Sequence, residues 1–274
     1  MTFKPIIAGL ALLLAFSIVG NAQTKVIAHR GNSVVGPENT LCAFEMAIIA
    51  KADYIELDVH RTTDDSLVVI HDATIDRTAC DNAKGEVNKM RFSELREKSF
   101  GYCGLFKDQY KEEKIPTLRE VLTLAKGKIK VCIELKAEGI SDQVLSLVEE
   151  MKMQTEVILF TFKLNEIVKI RETNSSIPVL LLIDPATSET IEIAKKNGIN
   201  AIGAGGKTQL NKEFLDAAHA AGVEIWIWTI NSKDTMEILI GEGVDGIITN
   251  CPSLAVNLIS LGVSSPLLAA IFFL

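Results

Sequence analysis

The chain has 274 residues, 48% of them hydrophobic and 23% charged, which is enough apolar material for one large single-core domain and excludes a disordered chain. Its formal net charge is −7 and its pI is near 5.3, whereas nucleic-acid binders usually present a basic field. No nucleic-acid partner is therefore expected.

The first 22 residues have the pattern of a secretory signal peptide. Lys4 precedes an apolar run at 6–19, and the segment ends in Gly20-Asn21-Ala22. A basic region, an apolar region and a small-residue site are the parts of such a signal, and the apolar run is short for a membrane span. We expect cleavage after Ala22 and export to a periplasmic or extracellular location. An uncleaved N-terminal anchor is the alternative.

After this signal, short β-branched runs alternate with amphipathic helical patterns. Strands are predicted at 26–29, 54–59, 130–135, 157–161, 179–183, 201–203, 224–228 and 246–249. Helices are predicted at 40–51, 141–152, 163–172, 187–197, 211–221, 233–241 and 252–261. Repeated strand–helix units indicate a parallel sheet covered by helices, and roughly eight units in about 250 residues match a (β/α)8 TIM barrel. The alternative, an open doubly wound sheet, usually carries a glycine-rich phosphate turn after its first strand, where this chain has His29-Arg30-Gly31.

The segment 73–115 interrupts this alternation. It is polar and has only one short helical pattern, near 93–98. Connections this long are more often functional than plain linkers, so we expect an insertion after the second strand that covers the mouth of the barrel. Cys80 and Cys103 both lie in it, and they are the favoured pair if this exported chain forms a disulfide.

Acidic residues occupy alternate positions in two of the predicted strands. Glu56 and Asp58 share one face of the second strand, and Glu134 with Lys136 repeats that spacing in the third. We place both pairs at the carboxyl ends of their strands, where TIM barrels carry their active groups. Three carboxylates without Cys or His at ligand spacing favour Ca²⁺ or Mg²⁺ over Zn²⁺. The metal is therefore assigned to Glu56, Asp58 and Glu134. The alternative is a salt-bridge network of these acids with Arg30 and Lys136.

Two histidines also stand at strand ends. His29 closes the first strand and precedes Arg30, which could bind an anion through two N–H groups, and His71 closes the apolar run at 67–70. Two imidazoles on opposite sides of a phosphate could act as general base and general acid near neutral pH. The metal and Arg30 would offset the charge of the phosphoryl oxygens.

Aromatic residues at strand ends bear on the substrate. Phe162 and Trp228 are expected at the mouth, where they would pack against the carbons of a bound ligand. Trp226 and Trp228 share one strand face, so ordinary filling of the barrel is the alternative for both.

Short motifs run through nearly the whole chain after residue 22. They are His29-Arg30-Gly31, Pro37-Glu38-Asn39-Thr40, Ile55-Glu56-Leu57-Asp58-Val59, His71-Asp72 with Asp76-Arg77-Thr78, Ile115-Pro116-Thr117-Leu118, Ile133-Glu134-Leu135-Lys136, Trp228-Thr229-Ile230-Asn231 and Gly246-Ile247-Ile248-Thr249. Together they resemble the glycerophosphodiester phosphodiesterase family.

The resemblance implies a fold and a set of site residues. The fold is a TIM barrel with a small insertion after the second strand, and the usual cofactor is a divalent metal, Ca²⁺ or Mg²⁺. The residues that match the family's site are the metal ligands Glu56, Asp58 and Glu134, the acid–base pair His29 and His71, the phosphate-contacting Arg30 and Lys136, and the supporting Glu38 and Asn39. The last strand is followed by Asn250, where the family often has Asp, a departure that leaves the metal set intact.

The implied substrates are small deacylated phospholipids such as glycerophosphocholine or glycerophosphoethanolamine. In the implied reaction the neighbouring glycerol hydroxyl attacks the phosphate, and water then opens the cyclic phosphate to give glycerol 3-phosphate and an alcohol.

Two other functions stay open. The enzyme alternative is a lysophospholipase D or sphingomyelinase-D-like enzyme that acts on acylated lipid. The tail at 263–274 has no assigned role, and its apolar stretch at 266–274 leaves a peripheral membrane contact open. The non-enzyme alternative is a barrel that only binds a phosphodiester, which predicts a missing ligand or histidine, and none is missing.

Overall fold

Eight parallel strands close into a barrel in the computed structural model, which describes residues 23–174 and 176–262. The strands, including one antiparallel strand outside the barrel, are β1 (Lys25–Ala28), β2 (Tyr54–Arg61), β3 (Leu67–Val69), β4 (Lys130–Leu135), β5 (Val157–Thr161), β6 (Val179–Ile183), β7 (Ala201–Ala204), β8 (Glu224–Ile227) and β9 (Gly246–Thr249). β1 pairs with β2 on one side and with β9 on the other, which closes the sheet. The fold is therefore the predicted (β/α)8 TIM barrel and not an open doubly wound sheet. The predicted signal peptide at 1–22 and the tail at 263–274 lie outside the described residues.

Helices follow most of the strands. They are α1 (Leu41–Ile49), α2 (Phe92–Glu97), α3 (Cys103–Phe106), α4 (Leu118–Ala125), α5 (Ser141–Glu150), α6 (Leu164–Thr173), α7 (Ser188–Lys196), α8 (Lys212–Ala220), α9 (Lys233–Glu242) and α10 (Pro252–Ser260). The sequence analysis did not predict α4, although Thr117 and Glu120 form a capping box at its start. Within the described ranges, the helices are too short or too polar to cross a membrane.

The apolar core has two layers. One lies between the outer faces of the strands and the helices, and the other fills the barrel interior with residues that include Ile27, Cys132, Phe160 and Trp226. Trp226 is 1% exposed. It fits because Gly246 faces it, where an added Cβ would lie 2.8 Å from the indole ring. This packing fills part of the barrel interior.

β2 is longer than the sequence predicted. Its last residues pair in antiparallel fashion with β3, with Val59 opposite Val69 and Arg61 opposite Leu67. Glu56 and Asp58 therefore lie in the middle of β2 and not at its end, which corrects the sequence-based placement. β3 was not among the predicted strands because three consecutive apolar residues show no alternation.

The segment 73–115 follows this hairpin. It contains a 3-10 helix (Val87–Lys89) and the short helices α2 and α3, so the predicted helical pattern near 93–98 is confirmed as α2. Its apolar residues pack with those of β3 in a small cluster of their own. A disulfide joins Cys80 to Cys103, the pair that the sequence favoured.

Candidate active site

Glu56, Asp58 and Glu134 lie together inside the barrel. Asp58 and Glu134 are register partners on the neighbouring strands β2 and β4, and Glu56 lies two residues nearer the amino end, opposite Cys132. One carboxylate oxygen from each acid lies within 4.8 Å of the other two. All three side chains are buried. The barrel thus brings together the acids that the sequence assigned to a metal.

These acids are electrostatically unlike one another. Burial, with the charges of Asp58 and Glu134, raises the pKa of Glu56 well above its ordinary value. Burial and the Asp58 charge raise the pKa of Glu134 to about 7. Burial acts in the same direction on Asp58, but Arg30, His71 and Lys136 outweigh it and lower the pKa of that carboxyl. The burial of these carboxylates and the repulsion between them are therefore unfavourable at neutral pH, and a bound cation would offset both effects.

Two cations lie beside the acids. Arg30 Nε is 3.5 Å from Asp58 Oδ2, and Lys136 Nζ is 2.9 Å from Glu134 Oε1 and 3.6 Å from Asp58 Oδ1. The ion pairs of the salt-bridge alternative are thus present. They leave two buried atoms, Asp58 Oδ1 and Arg30 Nε, without a hydrogen-bond partner among the described residues. Buried polar atoms are normally paired, and here one acceptor within the acid cluster and one donor beside it remain available to a ligand.

A tight turn after β1 positions His29 and Arg30. Arg30 and Gly31 have φ values of 57° and 84°, and a Cβ at Gly31 would lie 2.7 Å from the Ala43 backbone, so glycine is required there. The backbone N–H of Arg30 donates to Glu56 at 2.9 Å. His29 Nδ1 lies 2.6 Å from Asn250 Oδ1. Since an amide oxygen only accepts, Nδ1 carries the proton and Nε2 is left as an acceptor.

Burial, together with the neighbouring Arg30 charge, lowers the pKa of His29 to about 4. His29 is therefore neutral at pH 7.

His71 follows β3, which pairs with the carboxyl-terminal residues of β2. The backbone N–H of Ile70 donates to the Asp58 carbonyl at 2.9 Å, and His71 Nδ1 lies 2.7 Å from Asp72 Oδ1. Hydrogen bonds from Arg77, and then the bond from His71, lower the pKa of Asp72 against the effect of burial. An ionised Asp72 only accepts, so His71 also carries its Nδ1 proton and presents Nε2.

Glu38 and Asn39 contact the proposed site residues directly. Glu38 accepts hydrogen bonds from Arg30 at 2.9 Å and from Arg77 at 2.6 and 2.8 Å. Asn39 Nδ2 donates to Asp58 Oδ2 at 2.8 Å, and Asn39 Oδ1 accepts from the Asp58 N–H at 3.3 Å. Both residues therefore orient groups of the site, in keeping with the supporting position that the resemblance implies.

The aromatic residues separate by depth. Phe162 follows β5 and is 50% exposed, and its ring makes an edge contact with Trp228 at 5.7 Å. Trp228 follows β8 and donates its indole N–H to the Gly203 carbonyl at 2.9 Å. Trp226, two residues earlier, is buried against Tyr54 and Phe160. The barrel-filling reading therefore describes Trp226, and Phe162 with Trp228 lies at the carboxyl-terminal end.

The sequence model of the glycerophosphoryl diester phosphodiesterase family matches residues 29–254, which include all of these site residues. The chain belongs to this family. Glycerophosphodiester phosphodiesterases of Caldanaerobacter subterraneus subsp. tengcongensis and Bacillus altitudinis are 34% and 33% identical to it, over 88% and 86% of this chain and 99% and 98% of theirs. As a glycerophosphodiester phosphodiesterase, it is a phosphoric diester hydrolase.

A solved structure of the same family agrees with the fold. The glycerophosphodiester phosphodiesterase of Agrobacterium tumefaciens matches with a TM-score of 0.77 at 28% identity, over 86% of this chain and 100% of that one. A phosphodiesterase of Oleispira antarctica, solved in complex with the product sn-glycerol-3-phosphate, matches with a TM-score of 0.77 at 23% identity, over 87% of this chain and 97% of that one.

Three residues of the site had no assigned role in the sequence analysis, namely Asn250, Asp72 and Arg77. The position of Asn250 could have been found, because it follows β9, which closes the barrel against β1 and so brings Asn250 beside His29. Arg77 lies in an irregular segment, and its contacts with Glu38, 39 residues away, have no periodic signal in the sequence.

Proposed function

We propose that this chain hydrolyses small glycerophosphodiesters, such as glycerophosphocholine and glycerophosphoethanolamine, to glycerol 3-phosphate and the free alcohol in a metal-dependent reaction. The carrying observation is the convergence of a buried acid cluster, flanking cations and two oriented histidines at one site. The product complex of the Oleispira relative supports glycerol 3-phosphate as the product.

Glu56, Asp58 and Glu134 would hold the metal. Their donor set is all oxygen, which suits Ca²⁺ or Mg²⁺, and Asp58 Oδ1, which has no hydrogen-bond partner in the described part of the chain, would be available as a ligand atom. When bound, the metal supplies positive charge that offsets the phosphoryl oxygens as well as the acids.

His29 and His71 would transfer the protons. His29 is neutral with Nε2 as an acceptor, because burial lowers its pKa to about 4 and its Nδ1–H donates a hydrogen bond to Asn250 Oδ1. It is suited to remove the proton of the attacking glycerol hydroxyl. The ionised Asp72 holds His71 through Nδ1 at 2.7 Å, so Nε2 is directed to the site, and His71 would give a proton to the leaving alcohol. Water would then open the cyclic phosphate with the two roles reversed.

The remaining residues would bind the substrate. Arg30 has an unused buried Nε, and it and Lys136 would contact the phosphoryl oxygens. Phe162 and Trp228 would pack against the glycerol or head-group carbons. The signal peptide predicted from the sequence supports a site of action outside the cytoplasm.

The direct test is release of glycerol 3-phosphate from glycerophosphocholine by the purified protein, with and without a chelator. We expect removal of the metal, His29→Ala and His71→Ala each to lower the rate by at least about 100-fold. Added Ca²⁺ or Mg²⁺ should restore the rate of the chelator-treated wild-type protein. His219→Ala is the matched control, because His219 is bonded to Asp245 on a different part of the surface; its rate should equal that of the wild type.

Each other outcome changes a different part of the proposal. A rate that survives exhaustive chelation would exclude the metal, and full activity of either histidine variant would exclude its role. Lysophosphatidylcholine is assayed in parallel. Cleavage of that lipid without cleavage of glycerophosphocholine would show that the enzyme acts on acylated lipid, as a lysophospholipase D does.

A further inference from the structure

Arg77 lies in the segment that follows β3, and its guanidinium has every donor occupied. Nε and Nη2 donate to Asp72 at 2.8 and 3.1 Å. Nη1 and Nη2 donate to Glu38 at 2.6 and 2.8 Å, and Nη1 also contacts the Tyr102 hydroxyl at 3.4 Å. Arginine has five N–H donors, and these contacts use them all. Arg77 therefore has no donor left for a substrate. Arg30 differs, because its Nε lies 3.5 Å from Asp58 Oδ2 and has no hydrogen-bond partner within the residues that the structure describes.

Each carboxylate that Arg77 holds has a second partner in the proposed machinery. Asp72 Oδ1 lies 2.7 Å from His71 Nδ1, and Glu38 Oε1 lies 2.9 Å from Arg30 Nη1. Arg77 is thus one residue removed from the proton-transfer group on one side and from the phosphate-binding cation on the other. Its two bidentate pairs fix the plane of both carboxylates, which a single point charge would not do.

The positive charge of Arg77 also balances the negative charges around it. Four side chains of alternating charge are linked by ion pairs, in the order Asp72, Arg77, Glu38 and Arg30. Without Arg77 this set would leave an excess negative charge beside the position of an anionic substrate. The carboxylates would also be free to rotate away from His71 and Arg30.

The surroundings hold Arg77 in place. The Tyr102 ring lies 5.4 Å from the guanidinium carbon, and Tyr102 precedes Cys103, which is disulfide-bonded to Cys80. The segment 73–115 therefore contributes both the guanidinium and the aromatic ring that packs on it.

We infer that Arg77 is a positioning residue that sets His71, through Asp72, and Arg30, through Glu38, in one fixed arrangement. The inference rests on the roles proposed above for His71 and Arg30. It gives the segment 73–115 a part in turnover through a residue that does not touch the substrate.

The test is steady-state kinetics of Arg77→Met on glycerophosphocholine. We expect kcat to fall about 100-fold, because small misplacements of a proton-transfer group cost about that much, and KM to rise several-fold as Arg30 loses its fixed position. Arg77→Lys keeps the charge but lacks the fork, so its kcat should remain closer to that of Arg77→Met than to that of the wild type.

Arg96→Met is the matched control. Arg96 lies in the same segment, forms a bidentate pair with Glu120 at 2.6 and 3.0 Å, and lies over the ring of Phe92 at 5.7 Å, but it contacts neither Asp72 nor Glu38. Its kcat and KM should stay within about twofold of the wild type. Thermal midpoints are recorded for all variants, and Arg77→Lys replaces Arg77→Met if the latter does not fold.

Double-mutant cycles give the readout that a purely structural role would not produce. In an Asp72→Asn background, Arg77→Met should lower kcat far less than it does in the wild type, and in a Glu38→Gln background it should raise KM less. Equal kinetics of Arg77→Met and Arg96→Met would overturn the inference, and so would strict additivity in both cycles. If the wild type does not turn over, or His71→Ala is fully active, the proposed function fails; a His71-dependent enzyme indifferent to Arg77 refutes this inference alone.

Discussion

The two ends of the barrel interior satisfy their charged and polar groups in different ways. At the amino-terminal end, Trp226 donates its indole N–H to Glu224 at 2.8 Å, and Glu224 also pairs with Lys25 at 2.7 Å. At the other end, Asp58 Oδ1 is buried with no hydrogen-bond partner among the described residues, and Glu134 has its pKa raised to about 7.

The same strands serve both ends. β2 carries Tyr54 against the Trp226 ring and, on the same face, Glu56 and Asp58 two and four residues further on. One strand thus contributes first to packing and then to a strained acid cluster. The packing at the amino-terminal end therefore stabilises the fold. The buried acid cluster destabilises it, but its groups remain available to ligands.

The largest expected effect on this comparison comes from the packing layer. Trp226→Ala removes a fully buried ring from the barrel interior and should lower the free energy of unfolding by about 3–5 kcal/mol, as measured by urea denaturation. Activity per folded molecule should remain close to wild type, since the Trp226 ring contacts Tyr54 and Phe160 and its N–H donates to Glu224.

Trp228→Ala is the counterpart at the other end. Its side chain is only partly buried, so its loss of stability should be smaller and its loss of activity larger. The reverse order of the two variants in either measurement would contradict the division between the two ends.

Glu56→Gln tests the acid cluster. The amide keeps the shape and can still accept from the Arg30 N–H, and it removes a carboxyl whose pKa is raised by burial and by its acidic neighbours. We expect unchanged or higher stability without metal, and at least about 100-fold lower activity.

Glu224→Gln provides the matched change at the amino-terminal end. It should leave the activity near that of the wild type, because Glu224 pairs only with Lys25 and Trp226 in the described part of the chain. Equal activity of Glu56→Gln and Glu224→Gln would contradict the assignment of the catalytic function to the acid cluster.

The third effect is a pH dependence of stability in the metal-free protein. The pKa of Glu134 is raised from 4.5 to about 7, so its contribution is favourable below about pH 4.5 and is lost as pH rises through about 7. His29, whose pKa is lowered to about 4, acts in the opposite direction.

The contribution of Glu134 is therefore isolated as the free energy of unfolding of the wild type minus that of Glu134→Gln. This difference should fall from pH 5 to pH 8, and saturating Ca²⁺ or Mg²⁺ should reduce or reverse the fall, since metal binding requires the deprotonated carboxylate. A difference that rises with pH in the metal-free protein would contradict the raised pKa.

The smallest expected effect is at the rim of the mouth. Phe162→Ala removes a half-exposed ring that contacts Trp228, and we expect a KM for glycerophosphocholine only a few-fold higher, with kcat unchanged. Phe106→Ala in α3, another partly exposed aromatic, is the control. A change in kcat instead of KM would place Phe162 closer to the chemistry.

The sequence predicted the fold where a local signal existed. The barrel strands with β-branched runs, such as 130–135 and 157–161, have the predicted bounds, because burial on both faces selects such residues continuously. β3 could not be found, since its pairing with β2 is antiparallel and only three residues long.

The site was predictable to the same degree. Alternation in a strand places Glu56 beside Asp58, and barrel topology brings Glu134 to them. No such rule predicts that Arg77 contacts Glu38, 39 residues away, or separates Trp226 from Trp228, which share a strand face and differ only in depth. Those contacts depend on how the closed barrel packs.

The disulfide between Cys80 and Cys103 has a consequence for the maturation of the enzyme. Thiols stay reduced in the cytosol and form disulfides in oxidising compartments, and both cysteines of this bond lie in the segment 73–115, outside the barrel strands and the helices that cover them. A newly made chain can therefore complete its barrel while the segment around Tyr102 and Arg77 still lacks its crosslink. The proposed hydrolysis of glycerophosphodiesters would then reach its full level only in the compartment where this bond has formed, which agrees with the export that we propose.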